Sequence, residues 1–256
     1  MKILLVNDDG YGAEGLMALY ERLKDEHKVL IVAPETEHSG AGHSVTLRNE
    51  LRAKKMPLGY AVTGTPADCA KLGIRHLMKD CDLVISGINP GANLGMDCNY
   101  SGTVAAAREA AVQGKQALAT SCYCRKFRDV EYLADYTACV AEKLMENPLQ
   151  KGVFLNLNMP NVTRETGMKT KAAPMGWHIY AEEFSMTEAE DGSGDLVFTP
   201  MYGKDVHMET GHVDNALVRE GIATLTTVSW DATDKPSFDT ARKIAEKMKD
   251  AGNPLA

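Results

Sequence analysis

Short apolar runs alternate with amphipathic segments along the first two-thirds of the chain. The first run, Ile3–Val6, is almost continuous, which is typical of a strand buried on both faces of a parallel sheet. Comparable runs predict strands at 29–33, 83–85, 117–122 and 153–157, and helical spacing of apolar residues predicts helices at about 14–25, 65–78, 104–112 and 130–146. This alternation predicts an α/β fold: a Rossmann-like, doubly wound and mostly parallel sheet with helices on both faces.

The pattern changes after about residue 165. The acidic, glycine-containing segment 188–194 predicts the turn of a β-hairpin arm. A short helix at 213–221, a strand at 222–228 and a final amphipathic helix at 238–248 follow it. We therefore expect a catalytic core at 1–165 and a C-terminal extension at 166–256. Within the core, the weaker segments 45–51 and 60–62 are interpreted as further strands.

Composition limits the function classes. The chain has 256 residues and a formal net charge of −7, which argues against non-specific nucleic-acid binding because that requires a basic face. No apolar segment approaches the length of a membrane span, and the first strand begins without a signal-peptide pattern. These features predict a cytoplasmic protein with no membrane partner. The six cysteines include no CxxC pair and are expected to be reduced.

Two adjacent acids, Asp8 and Asp9, follow the first strand. Open α/β sheets bind their ligands at the carboxyl ends of the strands, and two neighbouring carboxylates require a partner that offsets their repulsion. Ser39 and Asn89 follow other predicted strands, so their oxygen atoms could join the two acids around one Mg²⁺ or Mn²⁺ ion. The alternatives are a solvated Asp-Gly turn, an ordinary loop hydroxyl at Ser39 and an Asx-turn at Asn89.

The segment Tyr100-Ser-Gly-Thr leads directly into a strongly helical run. The first N–H groups of a helix lack partners and carry partial positive charge, so this segment is a candidate phosphate site. Simple capping of the helix by Ser101 or Thr103 is the alternative. The segment is no P-loop, because no lysine follows its glycine. Dinucleotide binding at Gly10–Gly15 is disfavoured since Asp8 and Asp9 would repel a pyrophosphate.

Five motifs occur in an order that resembles the SurE family. They are Asn7-Asp-Asp-Gly, Ser39-Gly, Gly64-Thr-Pro-Ala-Asp-Cys, Ser86-Gly-Ile-Asn-Pro-Gly-Ala-Asn-Leu-Gly and Tyr100-Ser-Gly-Thr-Val-Ala-Ala-Ala. The resemblance implies a Rossmann-like domain whose C-terminal extension is exchanged between the subunits of a homodimer or homotetramer. It implies metal ligands at Asp8, Asp9, Ser39 and Asn89, and phosphate-binding residues at Asn93, Ser101, Gly102 and Thr103.

The function that the resemblance implies is a 5′/3′-nucleotidase. Such a hydrolase releases inorganic phosphate from nucleoside monophosphates with the help of one divalent metal ion, and Asp8 and Asp9 would be its catalytic residues. The attacking group is expected to be a water, with a phospho-aspartate on Asp8 or Asp9 as the alternative. A Mg²⁺-dependent nucleotide-binding sensor without turnover is a hypothesis of another class.

Overall fold

A computed structural model describes residues 1–180, 183–201 and 205–250. Its strands are β1 Lys2–Val6, β2 Lys28–Pro34, β3 Ala53–Met56, β4 Gly59–Val62, β5 Leu83–Pro90, β6 Gln116–Tyr123, β7 Val153–Pro160, β8 Lys169–Ala172, β9 His178–Tyr180, β10 Glu183–Glu188, β11 Leu196–Met201, β12 Asp205–Met208 and β13 Ile222–Ser229. Its α-helices are α1 Glu14–Leu23, α2 Pro66–Leu72, α3 Gly102–Val112, α4 Val130–Glu146, α5 Asp214–Arg219 and α6 Phe238–Asp250. A π-helical turn at Gly73–Leu77 and a 3-10 turn at Gly95–Asn99 complete these elements.

The central sheet of the described residues has the strand order β3-β4-β2-β1-β5-β6-β7-β13-β8. The six strands from β4 to β7 in that order run parallel to their neighbours. The outer strand β3 is antiparallel to β4, and β13 is antiparallel to β7. The predicted doubly wound, mostly parallel α/β fold is therefore confirmed.

Both faces of the sheet are covered by helices, which explains why β1 is apolar at every position after Lys2. Ile3 and Leu5 belong to a buried cluster with Leu16 of α1 and Leu133 of α4. Leu4 and Val6 point to the opposite face, where the second cluster includes residues of α2 and α3. Successive strand side chains alternate between the two faces, so burial on both faces requires an unbroken apolar run.

The prediction of a strand at 45–51 is wrong. This segment is irregular with a bend at 47–49, and the edge strand β3 begins only at Ala53. The backbone N–H and the hydroxyl of Thr46 both donate to the carboxylate of Asp68, which holds the segment as a loop. The edge strand was missed because its exposed sequence, with Lys54 and Lys55, lacks the apolar alternation of a half-buried strand.

The C-terminal region contains the predicted hairpin, short helix, strand and final helix. β10 pairs with β11 in antiparallel register, from Glu183 opposite Met201 to Glu188 opposite Leu196. β8 was not predicted, and together with β13 it extends the central sheet. The division of the chain at residue 165 stays a prediction. Among the described residues, none of the helices has the length and hydropathy of a membrane span.

Candidate active site

Asp8 lies two residues beyond the end of β1 and is almost completely buried. The hydroxyl of Thr103, on the first turn of α3, donates a hydrogen bond to Asp8 Oδ1. Burial raises the pKa of the Asp8 carboxyl, and hydrogen bonds from the hydroxyl and backbone of Thr103 oppose that rise. Burial thus disfavours the charged form of Asp8, and the first turn of α3 stabilises it.

Asp9 is the more accessible of the two acids, but its Oδ2 atom is buried and has no hydrogen-bond partner in the described part of the chain. Burial raises the pKa of its carboxyl to about 7, and the nearby charges of Asp8 and Glu37 add to this effect. Burying a carboxylate oxygen without a hydrogen-bond donor costs free energy unless a positively charged group lies close to it. The pair therefore has the electrostatic character of a cation site.

A cleft of about 440 Å³ opens beside these acids at the carboxyl edge of the sheet. This volume is within the usual range for small-molecule sites. Its walls include six of the eight residues that the sequence predicts for the site: Asp8, Asp9, Ser39, Asn89, Asn93 and Ser101. Glu37, Asp97 and Tyr100 also line it, and sequence reasoning missed all three. The signal that could have identified Glu37 and Asp97 was that each lies close in the sequence to a residue predicted for the site.

Ser39 belongs to the exposed loop between β2 and β3. Its hydroxyl donates to Glu37 Oε1 at 2.6 Å, so both oxygens lie together at the cleft. The loop is anchored where it approaches the acids, because the N–H of His38 donates to the carbonyl oxygen of Asp8 at 2.8 Å. Farther along, His43 Nε2 lies 3.1 Å from Glu109 Oε2 of α3. These contacts hold the Ser39 loop against the site.

Asn89 lies near the end of β5 and is half-buried. Its side-chain nitrogen donates to the carbonyl oxygen of Gly91 at 2.7 Å. This is the local turn-type interaction that sequence reasoning offered as the alternative to metal binding. The two interpretations are compatible, because the bond uses the amide nitrogen and fixes an amide whose oxygen can still bind a cation.

Asn93 is held by a network of buried amides. The side chains of Asn156 and Asn158, both on β7, donate to its carbonyl oxygen at 2.9 and 3.0 Å, and its own N–H donates to Asn158 Oδ1 at 2.8 Å. Its side-chain nitrogen donates to the hydroxyl of Ser121 at 2.7 Å. An amide has two N–H donors, so Asn93 retains one for a ligand in the cleft.

The N-terminus of α3 combines capping with close packing. Ser101 caps the helix by accepting a hydrogen bond from the N–H of Val104 at 3.0 Å. A Cβ atom on Gly102 would lie 2.8 Å from Asp8 Cβ, so glycine is required for α3 to approach this acid. Gly102 and Thr103 are absent from the cleft wall, where Ser101 is present. The phosphate role of these residues stays a prediction.

These side chains fit a hard divalent cation. The four predicted ligands offer oxygen atoms, which Mg²⁺ and Mn²⁺ prefer, and no donor of the described residues reaches the buried Asp9 Oδ2. Elsewhere in the described chain, ligand atoms of Glu26, His27 and Glu142 lie within 4.8 Å of one another. In that cluster Glu26 is exposed and ion-paired with Arg22, so we assign it no role.

The fold and the cleft together define a class of protein: a doubly wound α/β protein with a cleft at one sheet edge that is lined by two adjacent acids and the capping serine of a helix N-terminus. The family model "Survival protein SurE" matches residues 3–182. The chain belongs to the SurE family.

Proteins named "5'-nucleotidase SurE" are similar along nearly the whole chain. That of Thermoanaerobacter sp. (strain X514) is 41% identical over 244 residues, which are 91% of this chain and 94% of the relative. That of Idiomarina loihiensis is 37% identical over 253 residues, covering 97% of this chain and all of the relative. The crystal structure of the SurE protein from Aquifex aeolicus superimposes with a TM-score of 0.83 at 33% identity, covering 96% of this chain and 100% of that one.

Proposed function

We propose that this protein is a metal-dependent 5′-nucleotidase that hydrolyses nucleoside monophosphates to nucleoside and inorganic phosphate. The observation that carries the proposal is the cleft in which two adjacent acids, the buried Asp8 and the half-buried Asp9, lie with small polar residues that include Ser101 at a helix N-terminus. Its curated SurE relatives carry the name 5'-nucleotidase. A divalent ion, Mg²⁺ or Mn²⁺, would neutralise charge on the phosphate and favour attack by water.

Each part of the site has a proposed task. Asp8 and Asp9 would hold the ion, with the oxygens of Ser39 and Asn89 completing the protein ligands. Asn93 and Ser101, which line the cleft, would bind the phosphate oxygens beside Gly102 and Thr103. Thr103 would also fix Asp8 through the hydrogen bond between their side chains. These interactions position the phosphorus atom and the cation without covalent chemistry on the protein.

The test is the release of inorganic phosphate from a panel of nucleoside monophosphates, with and without Mn²⁺ or Mg²⁺. Metal-dependent release supports the nucleotidase, and binding of nucleotide without release would favour the sensor. Asp8→Asn and Asp9→Asn should each abolish turnover while the protein stays folded. Asp25→Asn is the matched control. It makes the same change at an exposed residue just beyond α1 and should leave turnover unchanged. Metal-dependent activity retained by both site variants would refute the assignment.

The nature of the nucleophile requires a separate measurement. If a water attacks, acid quenching during turnover of ³²P-labelled substrate leaves no label on the protein. Label that is lost on replacing Asp8 or Asp9 would establish the phospho-aspartate route instead.

We also propose that the protein forms a homodimer or homotetramer in which the C-terminal extension is covered by another copy. The hairpin β10–β11 exposes Phe184, Met186, Leu196 and Phe198, each more than half accessible. On α6, Phe238, Ile244 and Met248 are similarly exposed. Apolar surface of this extent favours an interface.

Light scattering of the whole chain and of a variant lacking residues 230–256 tests this assembly. A monomer for the whole chain would contradict it, and a smaller assembly for the shortened chain would support it. A cytoplasmic location stays a prediction from the sequence.

A further inference from the structure

A second, smaller cavity of about 90 Å³ lies next to the cleft. Ala92 and Asp97 line both spaces, so the two share a wall. The other described residues of the small cavity are Leu94, Tyr123, His178, Asn215 and Arg219. Leu94 precedes the 3-10 turn, and the other four come from the end of β6, from β9 and from α5. None of the five has a role in the proposed phosphate chemistry.

An aromatic ring and a guanidinium group lie together in this wall. Tyr123 is 45% exposed, and the guanidinium carbon of Arg219 lies 5.8 Å from the centroid of its ring. A half-exposed aromatic ring beside an arginine is suited to stacking on a planar heterocycle, because every nucleobase presents a π-face. Apolar contact alone would not require the arginine.

Asn215 supplies the second, independent observation. Asn215 is 3% exposed, and among the described residues neither its amide oxygen nor its amide nitrogen has a hydrogen-bond partner. Buried amides are normally satisfied, and exceptions call for a missing partner. An amide offers an acceptor and a donor side by side, which matches the paired donor and acceptor groups on the edge of a nucleobase.

The shared wall of the two spaces agrees with this chemistry. In a nucleoside 5′-phosphate, one ribose separates the base from the phosphate. If the phosphate lies beside Asn93 and Ser101, the shared wall at Ala92 and Asp97 is the passage toward the small cavity. Asp97 would then be adjacent to the sugar, where a carboxylate can accept hydrogen bonds from hydroxyl groups.

We infer that the small cavity is the subsite for the base of the substrate, with Tyr123 and Arg219 stacking on the ring and Asn215 hydrogen-bonding to its edge. This inference rests on the proposed nucleotidase function and names the residues that determine its base specificity.

The test compares substrates with and without a base. The ratio of kcat/KM for AMP, GMP, CMP and UMP to kcat/KM for ribose 5-phosphate is measured in the wild-type protein and in Tyr123→Leu and Asn215→Leu. Tyr123→Leu should lower the ratio about fivefold or more for every nucleotide, because stacking is largely independent of the base. Asn215→Leu should lower it unequally and change the order of preference among the four bases.

Tyr132→Leu is the matched control. Tyr132 also lies under an arginine, with Arg164 at 5.2 Å from its ring, but it belongs to α4 outside both cavities. Its ratios should equal those of the wild type. Unchanged ratios in Tyr123→Leu and Asn215→Leu, in a wild-type background that hydrolyses nucleotides, would overturn the subsite and leave the nucleotidase intact. Failure of the wild type to release phosphate from any nucleotide would overturn both.

Discussion

The hydrogen bond between Thr103 and Asp8 can be removed with almost no change of shape, by Thr103→Val. Thr103 is fully buried, and its hydroxyl donates to the Asp8 carboxylate in the turn after β1. A hydrogen bond to a charged group contributes about 1.5–3 kcal/mol. The hydroxyl also lowers the pKa of the Asp8 carboxyl, so its loss should favour the protonated acid, which binds cations poorly.

We therefore expect Thr103→Val to weaken the binding of Mn²⁺. If about 2 kcal/mol of the lost interaction appears in the metal-bound state, the dissociation constant rises by roughly thirtyfold, since 1.4 kcal/mol corresponds to a factor of ten. The effect should be greater at pH 6 than at pH 8, because the cation must displace a proton more often at the lower pH.

Calorimetric titration of Mn²⁺ into chelator-treated protein measures this change, and urea unfolding checks that the variant is folded. Thr103→Ser is the matched control: it keeps the hydroxyl and loses only a buried methyl group, which costs about 1 kcal/mol of stability. Its Mn²⁺ affinity should stay close to that of the wild type. Equal Mn²⁺ affinities for the valine and serine variants would refute the reasoning, because the hydroxyl would then have no part in the site.

Two further predictions concern the acids and the loop. The pKa of the Asp9 carboxyl is about 7 in the folded, metal-free protein, well above the ordinary aspartate value. Between these two pKa values the folded protein therefore keeps a proton on Asp9 that the unfolded chain has released. Its free energy of unfolding in a chelator should thus fall as the pH rises from about 4 to 7, and Asp9→Asn should flatten this dependence in urea unfolding between pH 5 and 8; parallel profiles would contradict the assignment. Glu109→Gln should loosen the hold of Glu109 on His43 in the Ser39 loop, and so raise the Mn²⁺ concentration for half-maximal turnover several-fold, as measured by metal titration of activity. The exposed Glu131→Gln should leave that concentration unchanged, and the loop contact has no such role if Glu109→Gln behaves in the same way.

Much of the fold was predictable because its central strands are buried on both faces. Ile3–Val6 is apolar without interruption since helices cover both sides of β1. The edge strand β3 was not predictable in this way, because an exposed edge imposes no apolar pattern, and the segment at Thr46 is a loop because of a partner, Asp68, that lies 22 residues away in the chain.

The sequence by itself determined the acidic turn at Asp8 and Asp9, the glycine before α3 and the order of polar loops after successive strands. These features depend on local chemistry and on the rule that parallel strands end at one edge of the sheet. Tertiary structure alone decided that the hydroxyl of Thr103 contacts Asp8 rather than lining the cleft, and that Asn215 and Tyr123 line one cavity. Those residues are far apart in the chain, so their contacts follow from the packing of helices on the sheet, which no local pattern encodes.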